Sequence, residues 1–568
     1  MSQNKRKNQT LLSGALILVA STIIVKLISA IYKIPITNYI GGIGMGYYTT
    51  AYKIYLPIWS ISMAGLPIAV SKLISENMAL GKYNNVKSIF KVSLRAFLVT
   101  GTAGTLLLAA VAYPYVKYVA RAPEALPVIL CIAPAILICC IMSAYRGYYE
   151  GMRNMVPTAI SQITESLVKL VFGLGLTYLA IRYCASHGIT KPEVRYPIEA
   201  SAAILGVTLG TLGSQIYLWI KMKKDGYGFT EEELFLAPKA DSNKQILHSL
   251  ITLAIPIVLT SLIANVATLI DAATVQNRLA VAVANGEQTI RQMYPFIPKG
   301  TDKLNVYLYG CFDVDETLRN MVPQITLTLG VSSLPALAQY WAVNDKKNIR
   351  ISIESVLRIC MLISMPAGVG MAVLAKPILT LLYGSKQPDI PFMCEDILVI
   401  FGFSLFLYAL SSPVTTLLQA IGKAKIPAIS FGAACVVKIV LNYILVGMPE
   451  FNIKGAAIST VACYAISVFV NMLFLIKYTK VRINFVSVAL KPMIASVFCG
   501  IAAWGSYKLL DGRFGIPDKI ITLIAIVIAV IVYAAVLLLI KGLSKEDVLM
   551  LPAGEKIAKV LEKLHVLG

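Results

Sequence analysis

About fourteen stretches of this 568-residue chain are apolar for long enough to cross a bilayer. A spanning helix needs roughly 20 predominantly apolar residues. Runs of that kind fall at 11–33, 47–71, 89–113, 126–145, 157–182, 200–222, 245–270, 319–341, 352–376, 395–418, 427–447, 455–477, 487–509 and 518–541. Only 14% of the residues are charged and the mean hydropathy is +0.73, whereas a soluble globular chain carries about 25% charged residues. The fold class expected is therefore an all-α integral membrane protein with no soluble domain of useful size.

The first run follows Lys5, Arg6 and Lys7 and so begins like a secretory signal. It outruns the ~7–15 residue apolar core of such a leader, and no small-x-small cleavage site follows cleanly. An uncleaved first span is expected.

The net charge of +22 raises the question of a nucleic-acid partner, and its distribution answers it. Lys and Arg gather in alternate loops, at 72–91, 146–153, 221–244, 346–350, 423–425, 477–491 and after Lys541, while 34–46 has none. This is the positive-inside pattern. It predicts an even number of spans with both termini cytoplasmic in the cell membrane, some of the charge facing anionic lipid headgroups, and no nucleic-acid partner. In this reading Arg146 and Arg153 mark a short cytoplasmic loop ahead of span five.

The ten cysteines lie mostly inside the spans (Cys131, Cys139, Cys140, Cys435, Cys463 and Cys499 among them), and no pair has C-x-x-C spacing. Buried free cysteine behaves as a small hydrophobe. The three histidines, His187, His248 and His565, are scattered. No metal site and no cofactor are expected. The glycine-rich GGIGMG (41–46) follows a membrane helix rather than a strand and lacks the Lys-Ser/Thr of a phosphate loop, so it reads as a tight turn between spans one and two. G-x-S-x-G and H-E-x-x-H constellations do not occur in the sequence, and an enzyme is not expected.

The chain repeats itself. GLPIAVSKLISE (65–76) with GKYNNVKSIFKVSLR (81–95) parallels SSLPALAQYWAVNDKKNIRISIESVLR (332–358), and GMRNMVPTAISQITESLVKLV (151–171) parallels GKAKIPAISFGAACVVKIV (422–440). The paired landmarks Pro67 and Pro335, Pro157 and Pro427, and Lys169 and Lys438 all stand about 270 residues apart. Such a period holds six spans, an even number, so both copies enter the membrane from the same side as a parallel repeat, with the substrate path expected between the two lobes near the midplane. The expected organisation is an N-lobe over 1–242, a C-lobe over 243–480, two further spans in 481–541 and a cytoplasmic amphipathic tail over 542–568.

An ionisable group at mid-bilayer costs roughly 2.5–3.5 kcal/mol on insertion scales and so faces a cavity or a partner. Lys26 and Lys33 in span one are two helical turns apart and can look into one space, or Lys33 can snorkel to the interface. Lys53 lies in span two, Asp271 at the end of span seven, Arg358 in span nine and Lys438 in span eleven. Glu165 and Lys169 in span five have the i, i+4 spacing that lets them pair. That pairing is read either as self-neutralisation for insertion or as part of the path. The basic groups Lys26, Lys33, Lys53, Arg358 and Lys438 outnumber the acids, which predicts a cationic cavity suited to a phosphate or pyrophosphate. Glu165 and Asp271 are candidates for an ion or proton site.

With these segments in view, the chain resembles the SpoVB-type members of the polysaccharide and lipid II flippase branch (MurJ and Wzx relatives) of the multidrug/oligosaccharidyl-lipid/polysaccharide exporter superfamily. GLPIAVSKLISE (65–76), YRGYYEGMRNMVPTAISQITE (145–165) and LYGS (382–385) carry the resemblance, with IGGIGMGYY (40–48) and LLQAIGKAKIP (417–427) in support. Relatives carry two basic residues in the first helix at the places of Lys26 and Lys33, usually as Arg; Lys keeps the charge and loses the bidentate grip. A further basic residue late in span two of MurJ proteins is absent here, where the chain reads Trp59-Ser60, and Lys53 is a substitute. The resemblance implies a two-lobed, V-shaped transporter that flips a lipid-linked anionic saccharide by alternating access. Lipid II is first among its substrates, another undecaprenyl-linked oligosaccharide second, and partners come from peptidoglycan synthesis or sporulation. A cation-coupled multidrug exporter of the same superfamily is the competing reading, although two Lys and no acid in the first helix speak against it. A scaffold for envelope synthesis is the third.

Overall fold

The computed structural model describes residues 11–63, 65–298, 301–512 and 515–542, and every regular element among them is helical. In chain order these are α1 (Leu11–Met63), α2 (Leu66–Ala79), α3 (Tyr83–Pro114), α4 (Leu126–Ile132), α5 (Pro134–Gly151), α6 (Val156–Ser186), α7 (Pro192–Asp225), α8 (Glu231–Leu236) and α9 (Asn243–Met293). There follow α10 (Leu304–Ala342), α11 (Lys346–Val373), α12 (Ala375–Leu382), α13 (Ile390–Ala420), α14 (Lys425–Leu441), α15 (Asn452–Thr479), α16 (Lys491–Leu510) and α17 (Asp518–Leu539). The chain divides into two compact units, Met1–Asn277 with Thr301–Gly310 and Arg278–Gly300 with Cys311–Gly568. The tail expected over 542–568 lies, beyond Gly542, outside the described residues.

Eleven helical stretches among the described residues are long and apolar enough to cross a membrane, and the chain is a multi-pass membrane protein. Fourteen were expected, and the difference has two sources. Spans one and two do not separate, because α1 continues through both and the whole stretch Ala20–Ala79 counts once. The expected spans at 245–270 and 319–341 lie inside α9 and α10, elements of 51 and 39 residues, the first kinked at Gly286, that are not among the eleven.

Local chemistry sets the helix limits. Proline in the first turn opens α2, α5, α6, α7, α13 and α16, where its missing N–H costs nothing and its fixed φ is already helical. On α17, Ile521, Ala525 and Ala529 are buried while Leu523, Val527, Val530 and Ile531 are exposed. One face of this helix therefore packs with Cys499 and Ala503 of α16 and the other is suited to lipid.

The glycines at 41–46 correct the expected turn. Only Gly41 leaves helical geometry (φ 62°, ψ −172°), and it joins two helical halves without a loop. That positive φ is open to glycine at little cost. Gly42 and Gly46 serve close approach: a side chain at Gly46 would collide with the carbonyl of Val306, and one at Gly310 with the carbonyl of Gly42.

A strap runs from α7 to α9 around α8. Thr230 and Glu233 form a reciprocal capping box on α8, satisfying donors the helix start leaves open. Asn84, at the start of α3, points its amide N–H groups at the carbonyls of Leu234 (2.8 Å), Ala237 (3.1 Å) and Pro238 (3.3 Å). Asn85 donates to Asp241 Oδ2 at 2.7 Å and accepts from the Asp241 amide at 3.1 Å. Tyr148 Oη donates to the Tyr227 carbonyl at 2.8 Å.

Candidate functional site

The second half of α1 carries Tyr48, Tyr52, Tyr55 and Trp59 at steps of three and four residues, which puts them on one helix face. Successive ring centroids lie 6.0, 5.9 and 6.5 Å apart. Tyr52, Tyr55 and Trp59 form one wall of a cavity of about 300 Å³ within the first unit. Thr22, Val25 and Ser29 from the first half of α1, Arg146 from α5, and Gln162, Glu165 and Lys169 from α6 complete its polar and mixed walls. The Trp59 indole N–H has no acceptor among the described residues.

Arg146 organises the floor. Its guanidinium meets Glu165 at 2.9 Å, donates from Nε to Ser161 Oγ at 2.9 Å, and reaches Ser214 Oγ at 3.3 Å. The two charged side chains are 12% and 30% exposed, so the pair is largely desolvated on the arginine side. Ser21 donates to Gln162 Oε1 at 3.0 Å, tying α1 to α6.

This arrangement corrects two expectations. Arg146 does not mark a loop: α5 continues to Gly151, and the turn comes at Met152–Met155, where Arg153 is exposed with φ 55°. Gly147 and Gly151 keep the helix going because they let it press onto Pro67, Val70 and Ile74 of α2, a small-xxx-small contact. That spacing was the available signal in YRGYYEG. Nor do Glu165 and Lys169 pair with each other. The fork of Arg146, pre-aimed by two serine hydroxyls, takes the carboxylate. Lys169 turns instead over the Tyr32 ring, its ammonium 4.7 Å from the centroid, while Tyr32 Oη donates to the Ala203 carbonyl at 2.8 Å.

Among the residues singled out from sequence, Lys33 is half-buried with its ammonium 4.7 Å from the centre of the Tyr48 ring, and Lys26 is exposed. Neither touches the cavity wall, yet the charges of both act on Lys169, as does that of Glu165. Lys53, on α1, is 6% exposed and Asp271, on α9, is 3% exposed; neither lines the cavity. Arg358 and Lys438 belong to the second unit. Arg358 is buried on α11 and donates to Ser487 Oγ at 2.7 Å, and Lys438 is buried on α14. A further buried cation in that unit, Arg319, was not anticipated, since it opens an apolar run and reads as an edge residue. It pairs with Glu316 at 3.1 Å and lies over the rings of Phe401 and Tyr408 at 4.4 and 4.6 Å.

Residues 11–341 match the family described as polysaccharide biosynthesis protein. The chain belongs to that family. Residues 322–544 of this polysaccharide biosynthesis family member also match the family described as lipid II flippase MurJ. Among curated relatives, the stage V sporulation protein B of Bacillus subtilis (strain 168) is 24% identical over 96% of this chain and 98% of its own length. The lipid II flippase MurJ of the same organism is 26% identical over 80% of this chain and 81% of its own length. Among solved structures, a lipid II flippase MurJ in an inward closed conformation superposes with a TM-score of 0.62 at 15% identity, over 92% of this chain and 98% of that one. At that identity the likeness is one of fold.

Proposed function

We propose that this protein moves a lipid-linked anionic saccharide, lipid II first, from the inner to the outer leaflet by alternating access. In this reading the pyrophosphate is held in the cationic cavity of the first unit while the isoprenoid tail stays in the bilayer. The observation that carries it is the charge balance there. Arg146 and Lys169 line the cavity with Glu165 as its one carboxylate, and Lys26 and Lys33 add their fields. Arg146 already neutralises Glu165, so the surplus is positive and the site attracts an anion. The aromatic wall of Tyr52, Tyr55 and Trp59 offers flat faces to sugar rings, with the unpaired Trp59 N–H as a donor to a hydroxyl.

Lys26, Lys33 and Lys53 are assigned to substrate binding from the first unit, and Arg358 and Lys438 from the second. Glu165 and Asp271 are assigned to ion or proton coupling. The protein acts as a carrier and not a catalyst, with both termini in the cytoplasm by the loop-charge bias. Relatives named for lipid II transport and for sporulation support the substrate class.

A multidrug exporter would need a carboxylate open to a cationic drug, and the pairing of Glu165 with Arg146 disfavours it. Reconstitution into vesicles with labelled lipid II, with a generic polyprenyl-linked glycan and with a cationic dye tests the assignment. Transfer of the first two, lost in Lys26→Ala and in Arg358→Ala, is the expected result. Dye efflux without lipid transfer would establish the exporter reading, an unimpaired Lys26→Ala would remove the cationic-cavity mechanism, and an unimpaired Arg358→Ala would remove the second unit's part in binding.

A further inference from the structure

Asp315, on α10 in the second unit, is 0% exposed, and neither of its carboxylate oxygens has a hydrogen-bond partner among the described residues. Arg319, one turn further along the same helix, does not rescue it, because its guanidinium goes to Glu316 and to the faces of Phe401 and Tyr408. The titratable groups facing Asp315 are Cys394 on α13 and Tyr383 just after α12, with Cys311 of α10 beside Cys394 and Asp313 beside Tyr383. Beyond them Tyr294, at the end of α9, faces Cys311 and Cys394. None of these is a cation. The Cys394 thiol, the side chain set against the Asp315 carboxyl, is directed to the Cys311 carbonyl at 3.5 Å. The Tyr383 hydroxyl, 1% exposed, is itself without a partner.

The physics of such a shell is one-sided. Burying a bare carboxylate costs several kcal/mol even after relaxation, and here no amide, ammonium or guanidinium offsets that cost. A group so placed neutralises by binding a proton, and the polar side chain set against that carboxyl is the Cys394 thiol. Tyr383 belongs to LYGS (382–385), a segment that the substrate cavity does not use.

We propose that Asp315 is a proton-binding site of the second unit. It is occupied in the state described and emptied when α10 and the Tyr383 turn separate enough to admit water. The step makes and breaks only the carboxyl O–H bond, with the proton exchanged with water. One proton is thereby taken up and released in each conformational cycle. The cycle rests on the transport reading above; the bound proton does not.

Infrared difference spectra of the full-length protein in nanodiscs, wild type minus Asp315→Asn at neutral pH, read the proton directly. Asn is close in shape to the neutral acid, so the variant keeps its fold. The difference is expected to hold a protonated carboxylic-acid C=O stretch that moves down in D2O and whose frequency shifts in Cys394→Ala. A carboxylate band in its place overturns the site, as does a protonated band that Cys394→Ala leaves unmoved. In vesicles under an imposed pH gradient, the wild-type lipid transfer rate should change by up to about tenfold per pH unit and that of Asp315→Asn by less than about twofold. Equal responses overturn the coupling. Failure of the wild type to transfer any lipid would overturn the transport reading while leaving the spectra to decide the site.

Discussion

Replacing Lys169 by Gln should weaken the binding of an anionic lipid without weakening the fold. The Lys169 ammonium gains from the Tyr32 face at 4.7 Å, and a partly desolvated contact of this kind is worth about 1–2 kcal/mol. It loses to the like charges of Lys33 and Lys26. Burial of the ammonium costs it its hydration, the largest of the effects on it, and the Glu165 carboxylate, held by Arg146, returns only part of that. Neutral Gln gives up the ring contact and is relieved of both penalties, so the unfolding midpoint should stay within a few degrees of wild type. A ligand phosphate has no such offset. At roughly 6 Å and an effective dielectric near 20 the lysine contributes about 3 kcal/mol, and after screening about 1.5–3 kcal/mol. That is about a tenfold to hundredfold rise in Kd. Titration of nanodisc-embedded protein with a polyprenyl-pyrophosphate saccharide, at low and at physiological salt, measures it, with the uncharged polyprenol as control. An unchanged Kd, or equal losses for charged and uncharged lipids, would refute the reasoning.

Two further outcomes follow from contacts in the first unit. Arg146→Gln should destabilise the protein by about 2 kcal/mol, below the 3–5 kcal/mol typical of a fully buried pair because Glu165 keeps 30% exposure. Arg146→Gln with Glu165→Gln should recover most of that loss, and a double-mutant cycle with a coupling energy near zero would deny the pair any role. Gly310→Ala forces a methyl group onto the Gly42 carbonyl and should cost about 1–3 kcal/mol. Gly370→Ala meets open space and should be neutral or stabilising, and equal thermal midpoints for the two would contradict backbone-to-backbone packing at that contact.

What could be read before the structure depended on whether the signal was local. Apolar run length and Pro157 at a helix start are local, and they located most of the membrane helices and the beginning of α6. Arg146 was not readable in the same way. Its charge counts toward loop bias, while its direction depends on Gly147 and Gly151 meeting α2, a contact between distant segments. The Glu165–Lys169 spacing is a local permission that a better donor on another helix overrode. Similarly, GGIGMG suggested a loop because glycines favour turns, whereas Gly46 lies against Val306 and Gly42 against Gly310, so these two admit another helix. Asp315 looked like an ordinary charged residue ahead of an apolar run, and nothing in its neighbours along the chain announces that Tyr383 and Cys394 close over it.

The strap between α7 and α9 is fastened at Tyr227, at Leu234 to Pro238, and at Asp241. A connection held at three points is a brace and not a tether. A single protease cut within it would leave both ends attached, so the nicked protein should still migrate as one particle in native separation. By the same account, a change of tilt at the start of α9 must either carry the α2–α3 corner with it or break the amide contacts of Asn84 and Asn85. That corner is thus mechanically joined to the helix that leads out of the first unit.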